Sequence, residues 1–238
     1  MQESHLTDLS QEGAHPMSER PTTLEHRVLL PEGRGAEKYP TVVMLHGRGA
    51  DEEDLIPLAE QYDPRLLVLS VRAPFPFPNG GGFTWYDMGN AATPDPVTFR
   101  QSYDRLSQFI DDALGAYPVD PSRVFLLGFS TGTVMAYAVS LTRPGLFRGV
   151  IANSGYVPEG THLEFRWNEL RNVAFFVAHG KEDPVIPVDL ARRAQVLFAS
   201  SNAAVTYREY DMGHQITQES IRDSSLFLDG LLANPRKG

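Results

Sequence analysis

The chain has 238 residues, no cysteine and a formal net charge of -9 at pH 7. Without cysteine there are no disulfides, no thiolate metal sites and no cysteine nucleophile, so a nucleophilic enzyme would have to use a hydroxyl. The acidic balance argues against nucleic acid or an anionic membrane as a standing partner, and 42% hydrophobic residues is enough for one well-buried core.

Residues 1–20 are polar, rich in Ser, Glu and Gln, and have no sustained apolar period. They read as a flexible tail ahead of a single domain over residues 21–238. The tail lacks the basic start and apolar stretch of a signal peptide, and no run approaches the roughly 18 apolar residues that span a bilayer. The expectation is therefore a cytoplasmic protein with no stable membrane association. An antiparallel strand is expected before Pro31, followed by a turn at Gly33 and Gly35. Short apolar, β-branched runs then recur at 41–45, 66–71, 123–127, 147–152, 173–178 and 204–210, most of them continuous in the way of strands buried on both faces.

Amphipathic stretches separate these strands. Phe99, Tyr103, Leu106, Phe109, Ile110, Ala113 and Leu114 fall at helical spacings, and Pro118 closes the run. Further helices are expected over 51–61, 131–141, 188–200 and 215–232. The alternation predicts an α/β fold, a doubly wound and mostly parallel sheet with helices on both faces, with ligands at the carboxyl ends of its strands. One connection, 73–98, holds five prolines, the triplet Gly80 to Gly82, and Phe75, Phe77, Phe83, Trp85 and Tyr86. Its length and aromatic content read as a packed loop bordering a pocket.

Gly128-Phe129-Ser130-Thr131-Gly132 directly follows the strand at 123–127 and has the form of a nucleophile elbow, in which a strained strand-to-helix turn presents a serine to a cleft. The serine needs a base, and the base needs an orienting carboxylate. Among the histidines, His5 and His15 lie in the polar tail, His26 in an early strand and His162 in a polar loop. His214 lies between the last strand and the last helix, and Asp183 follows the strand at 173–178. The order Ser130, Asp183, His214 is that of an α/β-hydrolase triad. Asp211, Glu182 and Asp189 are weaker candidates: Asp211 is too close along the chain to His214, Glu182 should point the other way in its turn, and Asp189 reads as the start of a helix. For an oxyanion hole, one backbone amide should come from Thr131 and a second from His46-Gly47-Arg48-Gly49, which follows the strand at 41–45. Taken alone, His46 and His179 read as buried histidines bonded to backbone. Trp85, Tyr86, Tyr156 and Val185 border strand ends and are candidates to line an acyl pocket.

These residues resemble the phospholipase/carboxylesterase family of small α/β-hydrolases, which includes acyl-protein thioesterases and bacterial carboxylesterases. The resemblance runs from about Thr41 to the last helix. Its carriers are the oxyanion-loop segment 45–51, the elbow, His179-Gly180-Lys181-Glu182-Asp183-Pro184-Val185-Ile186-Pro187, and Gly213-His214-Gln215-Ile216. It implies Ser130 as nucleophile, Asp183 as orienting acid, His214 as base and the amides of Arg48 and Thr131 as the oxyanion hole, with no metal or organic cofactor. Thioesterase-like members commonly have glutamine and glycine where this chain has Thr131 and Thr133, and often leucine where it has Arg48. These departures lean toward a bacterial carboxylesterase acting on a small-molecule ester, with a cation at the mouth of the acyl site. Thioesterase and lysophospholipase activities, a homodimer, and a non-catalytic ligand-binding module on the same fold stay open.

Overall fold

The computed structural model describes residues 22–31, 37–78, 81–88 and 93–233. The expected tail at 1–20 and the Gly33 and Gly35 turn lie outside the described residues. The central sheet is built from β1 (His26–Leu29), β2 (Tyr39–Leu45), β3 (Leu67–Val71), β6 (Val119–Phe129), β7 (Gly149–Asn153), β8 (Ala174–Gly180) and β9 (Ala204–Tyr210). A separate short hairpin, β4 (Phe75–Pro76) with β5 (Phe83–Thr84), interrupts the aromatic loop. The seven strands lie in the order β1-β3-β2-β6-β7-β8-β9. β1 runs antiparallel to β3 and every other pair is parallel. The α/β-hydrolase fold is thus present, with the expected antiparallel strand at its edge.

Each inner strand feeds two cores because successive side chains point to opposite faces. Val43 and Leu45 of β2 join the core that contains Phe99, Tyr137, Phe175 and Phe198, whereas Val42 and Met44 join the opposite one with Phe125, Ile151 and Leu228. The first core is covered by α2 (Pro96–Ala116), α3 (Thr131–Thr142) and α4 (Val188–Ala199), and the second by α1 (Ile56–Ala59) and α5 (Gln218–Ala233). α3 is apolar almost all round and buried from Thr131 to Leu141, as expected of a helix enclosed by other elements on every side. It is the element that leads away from the elbow.

The expected helix over 51–61 is corrected to the four residues of α1. Ahead of α1 the Asp51 carboxylate accepts from the Glu53 amide at 3.0 Å, and the chain runs through four-residue turns, Asp54 N–H to Asp51 O at 3.3 Å and Ile56 N–H to Glu53 O at 3.2 Å. An aspartate bonding the backbone two residues on competes directly with the helical pattern. α2 begins at Pro96, inside the stretch expected as loop. Its start is set by Asp95, whose side chain accepts from the Thr98 amide at 2.8 Å, followed by proline in the first helical turn, where no intrahelical N–H is lost. Of the described residues in the stretch 73–98, Thr84, Trp85 and Tyr86 are buried, Trp85 and Tyr86 both at 0% exposure, whereas Pro76, Pro78, Asp87 and Met88 are exposed.

Candidate active site

β6 ends at Phe129, and the chain turns into α3 through Ser130, whose backbone has φ 55° and ψ -120°. That left-handed conformation is strained for any residue with a Cβ, and costs of order 1–3 kcal/mol where the surroundings impose it. Here they do: the Ser130 amide donates to Asn153 O at 3.0 Å, and Ser130 O accepts from Val134 N–H at 3.2 Å. The two flanking glycines are required by close approach. A Cβ on Gly132 would overlap the carbonyl groups of Leu45 and His46, and one on Gly128 would meet the Thr133 backbone. The elbow is therefore wedged directly against the end of β2.

His214 and Asp183 reach this turn from the ends of β9 and β8. His214 Nε2 lies 3.0 Å from Ser130 Oγ, and His214 Nδ1 lies 2.7 Å from Asp183 Oδ2. A carboxylate only accepts, so Nδ1 carries the ring proton and Nε2 is left with its lone pair toward the serine hydroxyl. The other oxygen, Asp183 Oδ1, accepts from the amides of Val185 and Ile186, both at 2.8 Å. Burial of Asp183 works to raise its pKa, but these amides and His214 outweigh it, and the carboxyl is held below its ordinary range. Phe129 supports the imidazole, the two ring centroids being 5.0 Å apart. Of the competing carboxylates, Asp211 pairs with Lys181 and Asp189 with Arg192, away from the imidazole, and Glu182 is exposed.

The loop after β2 is pinned by a second set of bonds. His46 is fully buried; its Nε2 accepts from the Ala73 amide at 3.0 Å, so its Nδ1 donates to Gly47 O at 2.6 Å. Trp85 donates its indole N–H to His46 O at 2.9 Å, and Gly49 N–H donates to Phe83 O at 2.8 Å. His179 is likewise buried, with Nε2 2.8 Å from Ile186 O. Burial holds both His46 and His179 below the usual histidine pKa, so both stay neutral.

A cavity of about 230 Å³ opens over Ser130 and Thr131. Tyr86, Tyr156 and Val185 line it together with Arg48, while Met88, Ile186, Pro187 and Leu190 complete the wall. Trp85 is not part of that wall: its indole is spent on the His46 carbonyl beneath the loop, which corrects its expected place in the acyl pocket. Met88, Pro187 and Leu190 were not singled out from the sequence, because nothing in residue type separates a pocket-lining aliphatic from a core one. Among the described residues no group of three or more His, Asp or Glu is placed to hold a metal ion, and no helix is long and apolar enough to cross a membrane.

The model of the phospholipase/carboxylesterase family matches residues 32–232. The chain belongs to the phospholipase/carboxylesterase family. It is 24% identical over 213 residues to acyl-protein thioesterase 1 of Saccharomyces cerevisiae, covering 82% of this chain and 93% of that protein. Its fold matches the Bacillus cereus carboxylesterase with a TM-score of 0.77 at 26% identity, over 87% of this chain and 94% of that one. It also matches a carboxylesterase from Mesorhizobium loti with a TM-score of 0.77 at 20% identity, over 88% and 96% respectively. The phospholipase/carboxylesterase family is one of ester and thioester hydrolases. Against that background Thr133 has a concrete local role: its hydroxyl donates to Asn153 O at 2.7 Å, and it fills the space that a Cβ on Gly155 would enter.

Proposed function

We propose that this protein is a serine carboxylesterase that hydrolyses carboxylic esters of small to medium acyl chain through an acyl-enzyme on Ser130. The observation that carries the reading is the unbroken chain from Ser130 Oγ through the imidazole of His214 to Asp183, at 3.0 and 2.7 Å, with Ser130 itself lining the cavity. In the first half-reaction Ser130 Oγ attacks the ester carbonyl carbon while His214 Nε2 takes the hydroxyl proton. The carbonyl oxygen becomes an oxyanion, held by the backbone N–H groups of Arg48 and Thr131, which are fixed before the reaction starts. Collapse breaks the ester C–O bond, and the departing alkoxide receives the proton from His214. Water then attacks the acyl carbon, giving its proton to the same imidazole, and Ser130 leaves as the hydroxyl.

The mechanism as drawn uses side chains, backbone amides and water. We place it in one α/β-hydrolase domain over residues 21–238, in the cytoplasm, with a small-molecule ester as partner. A cavity of about 230 Å³ is below the ~300–1,000 Å³ usual for pockets that enclose drug-sized ligands, which favours shorter acyl groups over palmitate-like ones. The test is hydrolysis of p-nitrophenyl esters from acetate to palmitate by the wild type and by Ser130→Ala. Turnover that peaks at short chains and is lost in the variant supports the reading. A peak at long chains moves thioesterase or lysophospholipase activity ahead, and a wild type that turns over none of the series supports a ligand-binding module instead.

A further inference from the structure

The cavity lining is mostly apolar, and three polar side chains stand out in it, Arg48, Tyr86 and Tyr156. Tyr86 is 0% exposed, yet its hydroxyl has no hydrogen-bond partner among the described residues, and neither does the hydroxyl of Tyr156 or the Nε of Arg48, although all three atoms are shielded from solvent. The three residues line the same cavity as Ser130. The Arg48 side chain is held in place by the Tyr86 carbonyl, to which Nη2 donates at 3.2 Å, and by the Phe77 ring, whose centroid lies 5.8 Å from the guanidinium carbon. No ion pair to a carboxylate is present at Arg48 among the described residues, whereas Arg143 and Arg193 each have one and Arg72 and Arg192 each have two. In a chain of net charge -9, Arg48 places a half-buried guanidinium, its Nε shielded from solvent, in the lining of the cavity over Ser130.

We infer that Arg48, Tyr86 and Tyr156 form a carboxylate-recognition subsite, and that the preferred substrates are esters carrying a second, ionised carboxyl group. The inference rests on the reading of Ser130 as the nucleophile and specifies the substrate class of that same site. Buried donors are paired in native proteins or in their complexes, and one cation with two phenols matches the donors a carboxylate needs, since a carboxylate accepts only. Burial holds both tyrosines above the ordinary tyrosine pKa, against the opposing pull of the Arg48 charge, so both keep their protons and can donate. The two phenols are close enough to influence one another but lack the geometry of a mutual hydrogen bond. The apolar part of the lining, Val185, Ile186, Pro187 and Leu190, is left for the carbon chain. A guanidinium over a phenylalanine ring and beside a carbonyl is oriented in advance, which lowers the ordering cost of binding an anion there.

Two matched pairs of esters test this, one with the carboxylate on the acyl side and one with it on the alcohol side: the phenyl half-ester of adipic acid against phenyl hexanoate, and 3-acetoxybenzoate against phenyl acetate. The readout is the ratio of kcat/KM, charged over neutral, after subtraction of spontaneous hydrolysis. In the wild type one pair should give a ratio of about ten or more, and Arg48→Leu should lower that ratio at least tenfold, mainly through KM. Ratios at or below one in both pairs, or a high ratio that Arg48→Leu leaves in place, overturn the inference while the esterase reading stands. If Arg48→Leu does not fold, Tyr156→Phe carries the test, and an unchanged ratio overturns it. If the wild type hydrolyses none of the four esters, the esterase reading fails separately. Calorimetric titration with benzoate against benzyl alcohol then decides: selective benzoate binding, weakened at least tenfold in Tyr156→Phe or Arg48→Leu, supports the subsite, and its absence overturns it.

Discussion

Asp183→Asn separates the chemical role of the carboxylate from its structural one. The Asp183 carboxylate accepts three hydrogen bonds: Oδ1 takes the amides of Val185 and Ile186 at 2.8 Å each, and Oδ2 takes His214 Nδ1–H at 2.7 Å. In the asparagine variant one of those oxygens becomes an NH2 group. Turned toward Val185 and Ile186 it would face two donors and leave both unpaired, at about 1–3 kcal/mol each, so the amide oxygen keeps that side and the NH2 faces the imidazole. A donor at that position requires Nδ1 to accept, which moves the ring proton to Nε2 and points it at Ser130 Oγ. The base is then blocked without disruption of the fold. The same change in a serine-protease triad lowers kcat by about 10⁴, which corresponds to roughly 5.5 kcal/mol of barrier. We expect a loss of about 10³ to 10⁴ in kcat on p-nitrophenyl butyrate with KM little changed. The melting temperature should drop by less than about 5 °C, because a stability change near 1 kcal/mol shifts a domain of this size by only a few degrees. A well-folded Asp183→Asn protein that keeps more than a tenth of wild-type kcat would refute the orienting role.

Three further outcomes follow from the geometry. Gly132→Ala forces a Cβ into the Leu45 and His46 carbonyls and should destabilise the fold by about 3 kcal/mol, the upper range for overpacking, measured by urea denaturation; a loss below about 1 kcal/mol would show that the elbow and the end of β2 are not wedged together. Because Asp183 is held below the usual carboxylate range, it stays ionised as pH falls toward that range, so its carboxyl should add no second proton to the acid limb of kcat/KM; an acid limb of slope two on a slow substrate contradicts this. Glu209, held at about 2 against an ordinary 4.5 chiefly by its hydrogen bonds from Arg192, contributes stability that is present above pH 4.5 and is lost as pH falls toward 2, so Glu209→Gln should flatten the acid unfolding curve over that interval; an unchanged slope means that solvent screening removes the contribution.

The parts of this molecule legible in its sequence are those fixed by local chemistry at strand ends. Ser130 and Asp183 each follow a run of buried strand residues, and His214 follows the half-buried edge strand β9; a parallel sheet brings such positions to one edge whatever the intervening chain does. The buried, backbone-bonded states of His46 and His179 were legible for a related reason, since an imidazole at a strand end is surrounded by main-chain groups. The segment 51–61 misled because its acidic residues suit either a helix start or an aspartate-centred turn, and only the bond from the Glu53 amide to Asp51 selects the turn. Trp85 misled because core and pocket wall both call for an aromatic, and its place depends on the His46 carbonyl 39 residues away in sequence. Asn153 gave no signal at all, although its carbonyl receives both the Ser130 amide and the Thr133 hydroxyl: support through a neighbouring strand's backbone carries no residue-type signature.

The most direct test of the central claim is covalent labelling with a fluorophosphonate, followed by mass spectrometry of the digested protein. An activated serine attacks phosphorus and expels fluoride, and the adduct remains on the nucleophile. The account predicts one adduct per chain, on Ser130, abolished in Ser130→Ala and strongly slowed in Asp183→Asn and at acid pH. No labelling of the folded wild type, or an adduct on another residue that persists in Ser130→Ala, would contradict it.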